Sequence, residues 1–205
     1  LDPGPSDPCV PDPNAPACGT GDTDLDGVPN SVEIADGTNP NDPDSYKDTD
    51  GDKVPDYVEN LDGTSPTDGT DYADNDGDKV PNYVESFWQA NNGGIATDPD
   101  NANDFADADN GGVPDYVETV LYPNVNITAT NPAVAADDNR DFDNDGVPDY
   151  QELLDGTDPN DADSYKDSDG DKVPDLIETA QGTSPTDGTD YLDTDGDLAP
   201  DSVET

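Results

Sequence analysis

The sequence predicts a mostly irregular repeat array with short helical turns, elongated and with little regular secondary structure. Three observations predict it: few apolar residues, a large negative charge, and an acidic phrase that recurs at fixed intervals. Of 205 residues, 29% are hydrophobic, and 52 Asp and Glu against 6 Lys and Arg give a formal net charge of −46. Such a composition is typical of disordered chains, which bury too little apolar surface to offset the entropy of ordering. The regular spacing of the acids instead indicates a fold organised around bound cations.

The recurring phrase reads D-x-D-x-D-x-V-P-[DN]-x-x-E, with close variants. Its seven copies, called loops L1 to L7 below, begin at Asp22, Asp48, Asp74, Asp107, Asp141, Asp167 and Asp193. Successive copies are 26, 26, 33, 34, 26 and 26 residues apart. Residues 22–85 also match residues 141–204 at a constant offset of 119. A period of this length is the signature of a repeat architecture.

The acids of each loop have the spacing of a calcium-binding loop. In L2, Asp48, Asp50 and Asp52 stand at positions 1, 3 and 5, and Glu59 stands at position 12. This spacing wraps oxygen ligands around one ion, with a backbone carbonyl from position 7 and a bidentate carboxylate from position 12. Calcium suits a flexible loop with six or seven oxygens better than magnesium, and softer metals lack their nitrogen and sulfur ligands. The sequence therefore predicts about seven calcium ions.

The expected ligands occupy equivalent positions in all loops. They are Asp22, Asp24, Asp26, Val28 and Glu33 in L1; Asp48, Asp50, Asp52, Val54 and Glu59 in L2; Asp74, Asp76, Asp78, Val80 and Glu85 in L3; Asp107, Asp109, Val113 and Glu118 in L4; Asp141, Asp143, Asp145, Val147 and Glu152 in L5; Asp167, Asp169, Asp171, Val173 and Glu178 in L6; and Asp193, Asp195, Asp197, Ala199 and Glu204 in L7. L4 has Gly111 at position 5, so we expect it to bind more weakly or through water.

Acids in the connectors between loops have two interpretations: they complete additional ion sites, or they cap turns in contact with solvent. These residues are Asp42, Asp44, Asp68, Asp71, Asp161, Asp163, Asp187 and Asp190.

EF-hands share the ligand spacing and are the main alternative architecture. An EF-hand needs a helix on each side of the loop and glycine at position 6. Position 6 is Lys53 in L2, where glycine has moved to position 4 as Gly51. The segment before L2, residues 39–47, is too rich in Pro and Asp for a helix. An EF-hand architecture is therefore disfavoured.

Two segments resemble the thrombospondin type 3 repeat family, especially its bacterial members. They read DTDGDKVPDYVE at 48–59 and DFDNDGVPDYQELLDGTDPNDADS at 141–164. The resemblance covers 22–85 and 141–204 strongly and 107–118 weakly. It implies calcium ions arranged along a chain with little regular secondary structure. Vertebrate members carry interleaved cysteines that these arrays lack, so calcium is expected to contribute more of the stabilisation here.

Proline and glycine set the expected secondary structure. Proline at position 8 suits the first turn of a helix, and segments such as 55–63 offer one or two turns that end near a glycine. Connectors rich in Gly, Pro, Asn and Asp predict turns. The alternating Val125 and Ile127 indicate a short strand near 124–130.

Four segments are expected: a Pro-rich N-terminal segment (1–21), a first calcium-binding array (22–85), a spacer with the divergent loop L4 (86–140), and a second array (141–205). The two cysteines, Cys9 and Cys18, lie close together in the first segment. With no His and no further Cys a zinc site has no ligands to complete it, so we predict a Cys9–Cys18 disulfide.

Composition also limits function and location. The acidity excludes nucleic acid as a direct partner, and no window is apolar for long enough to span a bilayer. The chain begins at Leu1 with no initiator Met or signal peptide, so we expect a mature secreted chain or a fragment, extracellular or at the cell surface. There is no His, and no nucleophile with a base, so we expect no enzyme.

The leading hypothesis is a calcium-rigidified stalk or filament subunit that assembles head to tail with copies of itself. The alternative is a calcium-dependent adhesion module that binds a glycan or cell-surface protein through the aromatic spacer around Trp88.

Overall fold

The computed structural model describes residues 21–88, 94, 96–194 and 199–201. This part contains seven helical elements of three or more residues and no strand. They are α1 (Asn30–Asp36), α2 (Asp56–Asp62), α3 (Val84–Trp88), α4 (Val117–Leu121), α5 (Tyr122–Asn124), α6 (Asp149–Asp155) and α7 (Asp175–Gln181), of which α3 and α4 are π-helical. The prediction of a mostly irregular chain with short helical turns is confirmed.

Proline and glycine fix the length of the regular helices. Pro55 is extended (φ −64°, ψ 139°) immediately before α2, and Gly63 ends the helix in the left-handed region (φ 85°). The amides of Gly63 and Thr64 both donate to the carbonyl oxygen of Glu59, at 2.8 and 3.0 Å. This pairing closes a helix after about two turns. α1, α6 and α7 begin after proline and end at glycine in the same way.

Two of the connections are longer but return to the same point of the repeat. After L3 and L4, the glycine that ends the other helices is absent from its usual position. The chain forms the π-helical turns α3 and α4 there instead. Thr97 and Thr130 then donate their amides to the carbonyls of Glu85 and Glu118, both at 3.2 Å. These bonds correspond to the bond from Thr64 to Glu59. The residues between are therefore insertions into one common repeat.

The strand predicted near 124–130 is absent, and that prediction is wrong. Residues 122–124 form α5, and the amides of Val125 and Ile127 donate back to Leu121 and Tyr122, at 3.0 and 2.8 Å. Asn126 is left-handed (φ 63°), which turns the chain back on itself and buries Ile127. The alternation of Val125 and Ile127 reflects a helix end and not a pleated strand.

The chain divides into two compact units, Leu1–Ala133 and Val134–Thr205. Inside the first unit, L3 packs on L1 and L4 packs on L2. The hydroxyl of Tyr83, in L3, donates to the carbonyl of Asp26 in L1 at 2.6 Å. The hydroxyl of Tyr116, in L4, donates to the carbonyl of Asp52 in L2 at 2.8 Å. Tyrosines therefore join residues that lie 57 and 64 positions apart in the sequence.

The N-terminal residues 1–20, which carry Cys9 and Cys18, lie outside the described residues, so the disulfide stays a prediction. None of the helices in the described ranges has the length and apolar character needed to cross a membrane.

We predict that Tyr116→Phe destabilises the first unit. The variant keeps the ring and removes the hydroxyl that pairs with the buried carbonyl of Asp52, a loss of about 1 kcal/mol. Tyr57→Phe is the matched control, because the hydroxyl of Tyr57 has no hydrogen-bond partner in the described part of the chain. Chemical denaturation with calcium present measures both. Equal stabilities for the two variants would contradict a joining role for Tyr116.

Candidate metal centre

The aspartate at position 1 of loops L1 to L6 shapes the backbone around the acids. In L2, Oδ1 of Asp48 accepts the amide of Gly51 at 2.7 Å, and Oδ2 accepts the amide of Lys53 at 3.2 Å. The first aspartate of L1, L3, L4, L5 and L6 makes the same two bonds. Each carboxylate oxygen has two lone pairs, so these bonds leave capacity for an ion.

Both residues that donate to position 1 have left-handed backbones. In L2, Gly51 has φ 85° and Lys53 has φ 71°. In L1 the order is reversed, with Leu25 at φ 66° and Gly27 at φ 86°. Every loop from L1 to L6 has glycine at one of positions 4 and 6 and a residue other than glycine at the other, and both positions are left-handed. The move of glycine from position 6 to position 4 therefore leaves the loop conformation unchanged.

The remaining acids of L2 converge on one point. Asp50 and Asp52 each use Oδ1 to accept an amide two residues ahead, at 3.4 and 2.7 Å. One oxygen from each of Asp48, Asp50 and Asp52 lies within 4.8 Å of the others. The first three acids of L1, L3 and L5 form equivalent groups. The structure thus brings together the acids that sequence spacing singled out.

The glutamate at position 12 is buried against this group. Glu59 is fully buried, and no described residue hydrogen-bonds to either of its carboxylate oxygens. Oδ2 of Asp50 and Oδ2 of Asp52 are also buried without a hydrogen-bond partner. Buried polar groups in native proteins are nearly always paired, so four orphaned oxygens in one loop indicate an ion.

Burial and mutual repulsion raise the pKa values of these acids. Burial, with the charges of Asp52 and Asp50 next in effect, raises the pKa of Glu59 to about 8. Burial and the charges of Asp50 and Asp48 raise the pKa of Asp52 to about 7, although the amide of Val54 opposes the rise. In L5 the pKa of Glu152 is likewise raised to about 8. A divalent cation would offset the repulsion that produces these values.

The residue at position 9 holds each loop closed, a role that the spacing of the ligands did not predict. Asp56 accepts the amide and the hydroxyl of Thr49, at position 2, at 2.8 and 2.7 Å. Although burial opposes it, bonds from Lys47 and Thr49 lower the pKa of Asp56. The equivalent pairs are Asn30 with Thr23, Asn82 with Asn75, Asp115 with Ala108, Asp149 with Phe142, Asp175 with Ser168, and Asp201 with Thr194. Only Asp or Asn occurs at position 9 in the seven loops, and this restriction could have identified the residue from the sequence.

A tyrosine two residues before the loop was also missed. The hydroxyl of Tyr46 donates to the carbonyl of Lys53, at position 6 of L2, at 3.3 Å. Tyr72 and Tyr165 make the same contact with Lys79 and Lys172. The recurrence of tyrosine before each of these loops could have identified it.

The other loops differ in how many of the predicted residues are described. The valines at position 7 are buried: Val28, Val54, Val80, Val113, Val147 and Val173. L6 has the bonding pattern of L2. In L4, Gly111 donates its amide to Asp109 at 2.9 Å but has no carboxylate to offer, and Glu118 is fully buried. In L7, Asp193 and Ala199 are described, whereas Asp195, Asp197 and Glu204 lie outside the described residues.

Four of the eight connector acids, Asp42, Asp68, Asp161 and Asp187, accept hydrogen bonds from groups two residues ahead of them. Oδ1 of Asp68 accepts the amide and hydroxyl of Thr70, at 3.3 and 2.7 Å, and Asp187 caps Thr189 in the same way. Asp161 caps the amide of Asp163 at 3.2 Å. These contacts correspond to the second of the two interpretations given above.

The donor set of each loop suits a hard cation. All the convergent groups are carboxylate oxygens, and the loop holds them with backbone amides. Calcium accepts six to eight such oxygens in flexible geometry. The residues present therefore fit a calcium ion.

Residues 22–43 and 141–162 match the family model of the bacterial TSP3 repeat. These segments contain L1 and L5, each with its following helix and connector. Thrombospondin type 3 repeats are structural calcium-binding repeats, so the match confirms the resemblance over these two segments. No curated protein and no solved structure matches the chain.

We predict that calcium binding releases protons and weakens as pH falls below about 8. In the calcium-free fold, Glu59 and Asp52 hold protons up to about pH 8 and 7, so calcium must displace them. The calcium-free fold should show the opposite trend. Its stabilisation by these protons is complete below their unfolded pKa values near 4 and is lost as pH rises through 7 to 8.

Calorimetric titration with calcium at about pH 6 and about pH 8.5, each in two buffers of different ionisation enthalpy, measures affinity and proton release. If the affinity is independent of pH and no protons are released, the raised pKa values of Glu59 and Asp52 are contradicted.

Proposed function

We propose that this protein is an extracellular calcium-binding structural protein, a stalk or filament subunit whose repeats are made rigid by bound calcium. The observation that supports it most strongly is the recurrence of buried carboxylate oxygens without hydrogen-bond partners. They occur at positions 3, 5 and 12 of L1, L2, L5 and L6. Their repetition at the same three positions in both compact units indicates a common ligand.

In this proposal each loop holds one ion. Positions 1, 3 and 5 supply carboxylates, position 7 supplies its backbone carbonyl, and position 12 supplies a carboxylate. L4 binds most weakly because Gly111 replaces one carboxylate. Other residues of the loop hold these ligands in position. The residues with left-handed backbone at positions 4 and 6 donate their amides to position 1, and the side chain at position 9 bonds to position 2.

The stabilisation available from calcium is of the right size to hold such a chain folded. Extracellular calcium modules have dissociation constants near 10⁻⁴ to 10⁻³ M. At millimolar calcium and ~10⁻⁴ M affinity, each site contributes about 1.4 kcal/mol by mass action. Seven such sites contribute about 10 kcal/mol, comparable with the whole stability of an ordinary domain.

A filament is the more specific form of the proposal. Contacts between different surfaces of successive copies, if they do not close into a ring, produce an open filament. The acidic loops repel other acidic loops, so segments of low charge are best suited to such contacts, and the sequence offers the Pro-rich segment 1–21 and residues 119–136. In the second of these, Leu121, Tyr122 and Ile127 are buried within the chain, which favours the Pro-rich segment. Electron microscopy of the chain without residues 1–21 tests the first surface, because unchanged filaments would exclude it.

Adhesion through the aromatic spacer is the second candidate. Phe87, beside Trp88, is 42% exposed while one face of its ring stacks on Tyr83, with ring centroids 5.5 Å apart. The side chain of Trp88 lies outside the described part of the structure. Loss of glycan or cell-surface protein capture in Trp88→Ala, with calcium binding intact, would favour this function over a purely structural one.

We predict that chelation expands the chain. Without calcium the carboxylates of each loop repel one another and the described core is small, so the chain should approach a disordered coil. Small-angle X-ray scattering in about 2 mM calcium and in excess chelator measures the change. Equal radii of gyration and equally compact scattering profiles in both conditions would refute calcium-dependent rigidity.

We predict that Glu59→Gln removes or greatly weakens one calcium site. The variant keeps the size of the side chain and removes the charge that faces Asp50 and Asp52. Asp62→Asn is the matched control, because Asp62 is an exposed acid at the end of the same helix. Native mass spectrometry at saturating calcium counts the ions. An unchanged ion count and affinity in Glu59→Gln would exclude position 12 as a ligand.

A further inference from the structure

One peptide group of L1 connects that loop to L3. This group joins Asp26 to Gly27, at positions 5 and 6. Its N–H, the amide of Gly27, donates to Oδ2 of Asp22 at 2.9 Å. Its carbonyl oxygen, which belongs to Asp26, accepts the hydroxyl of Tyr83 at 2.6 Å. The peptide group therefore lies between a predicted ligand of L1 and a side chain of L3.

L2 and L4 are connected in the same way. The peptide group that joins Asp52 to Lys53 donates its N–H to Oδ2 of Asp48 at 3.2 Å. Its carbonyl oxygen accepts the hydroxyl of Tyr116 at 2.8 Å. Tyr83 and Tyr116 both stand at position 10 of their loops. The same contact thus occurs twice in the first unit, each time between loops that have one other loop between them in the sequence.

Both contacts are buried. Tyr83 and Tyr116 are 5% and 4% exposed, and Asp26 and Asp52 are fully buried. A Cβ at Gly27 would lie 3.5 Å from Cε2 of Tyr83, so the ring covers the peptide group to which its hydroxyl bonds. A buried carbonyl that loses its donor is left unsatisfied, and removal of the hydroxyl therefore acts directly on the peptide group.

L3 holds Tyr83 from both sides. The residue before it, Asn82, accepts the amide of Asn75 with its side chain and donates its own amide to the carbonyl of Ala73, both at 2.9 Å. Two residues after Tyr83, Glu85 is fully buried at position 12, and its Oε2 has no hydrogen-bond partner among the described residues. Under the proposed function Glu85 is a ligand of L3. The position of the Tyr83 hydroxyl then depends on whether L3 is loaded.

The hydroxyl of Tyr83 acts on both ends of the peptide group in L1. A hydrogen bond to a peptide carbonyl strengthens the bond that the N–H of the same group donates, because hydrogen bonds in a chain polarise one another in a medium of low dielectric. The bond from Gly27 to Asp22 is therefore stronger, and better oriented, when Tyr83 is in place. Because Asp22 is the first carboxylate of L1, this orientation affects the affinity of L1 for calcium.

We propose that Tyr83 and Tyr116 are positioning residues that couple calcium binding between L1 and L3 and between L2 and L4. The proposal rests on the proposed calcium-binding function and specifies how its sites act on one another. Loading of L3 fixes Tyr83 and raises the affinity of L1, and by reciprocity loading of L1 raises the affinity of L3 by the same factor. A factor of about five is expected for a coupling carried by one hydrogen bond. Coupled loading makes the calcium response of the first unit steeper than that of independent sites.

Coupling between neighbours in the sequence is the competing arrangement. If the chain only stiffened along its length, L1 would respond to L2 more strongly than to L3. One contact does lead toward L2: Tyr46 bonds to the carbonyl of Lys53 at 3.3 Å, and its ring packs edge-on against Tyr83, with ring centroids 6.1 Å apart. Tyr83→Phe keeps this ring contact and removes only the hydroxyl that reaches L1. The variant therefore separates the two routes.

The test is a calcium titration of the full chain, followed by amide NMR after labelling glycine and lysine with ¹⁵N. The amides at position 6 report on single loops: Gly27 on L1, Lys53 on L2 and Lys79 on L3. Glu85→Gln removes the position 12 carboxylate of L3. It should lower the calcium affinity of L1 about fivefold and that of L2 less.

A double-mutant cycle identifies the hydroxyl as the coupling group. In the Tyr83→Phe background, Glu85→Gln should no longer change the affinity of L1. Tyr116→Phe is the matched control: it removes the equivalent buried hydroxyl from the other pair, so the effect of Glu85→Gln on L1 should remain. A merely structural role for Tyr83 would lower the stability of the unit and leave that effect in place.

The reciprocal variant keeps the test decisive if Glu85→Gln disorders L3. Glu33→Gln removes the position 12 carboxylate of L1, and it should lower the affinity of L3, read at Lys79, by the same factor of about five. This effect should also vanish in Tyr83→Phe. For the second pair, Glu118→Gln should lower the affinity of L2 more than that of L1.

The coupling and the calcium sites fail in different ways. Equal effects of Glu85→Gln on L1 and L2, or an effect on L1 that survives Tyr83→Phe, would overturn the coupling while the amides of the wild-type chain still respond to calcium. If the position 6 amides of the wild-type chain do not respond to calcium at all, the proposed calcium-binding function is wrong, and the coupling fails with it.

Discussion

The repulsion among acids buried together in one loop is the constraint on which the rest of the structure depends. Asp52 and Glu59 are buried close to Asp48 and Asp50 in the loop, and none of the ion pairs in the described residues involves any of these four acids. Left alone, buried like charges take up protons, which is what the raised pKa values of Glu59 and Asp52 express. Binding of a divalent cation is the alternative to protonation, because it also neutralises the buried charges. Under the proposed function, the competition between protons and calcium for these carboxylates sets how stable each repeat is at a given pH and calcium concentration.

The other residues of each loop hold its acids close together through hydrogen bonds. Left-handed backbone at positions 4 and 6 directs two amides to position 1, and position 9 fastens the loop to position 2. The buried valine at position 7 and the tyrosines then supply the small apolar contacts between repeats. A hydrophobic core in the ordinary sense is replaced by a series of local sites joined by aromatic contacts. Such an architecture can be lengthened by adding repeats, because each repeat needs only near neighbours.

The spacing of Asp48, Asp50, Asp52 and Glu59 was enough to predict the clustered acids, because a ligand set imposes its own sequence period. Pro55 and Gly63 likewise predicted where α2 begins and ends. The bonds of Asp56 and Tyr46 were not predicted. Both residues recur at fixed positions of the repeat, but recurrence alone does not say which backbone groups a side chain pairs with. The prediction of a strand near 124–130 was wrong because apolar and polar residues can also alternate over a few positions at a helix end. Here the backbone of Asn126 is left-handed and ends the helical turn. The contacts of Tyr83 and Tyr116 were beyond sequence reasoning, because they join residues 57 and 64 positions apart.

The central claim is that calcium, and not apolar burial, supplies the stability of the fold. It is tested most directly by the free energy of unfolding measured with urea at a series of free calcium concentrations at constant ionic strength. By mass action, stability should rise linearly with the logarithm of free calcium once the sites are saturated, with a slope equal to the number of ions released on unfolding. The account predicts a slope near the number of intact loops and an unfolded chain in chelator. A stability independent of free calcium, or a chain that stays cooperatively folded in chelator at neutral pH, would contradict it.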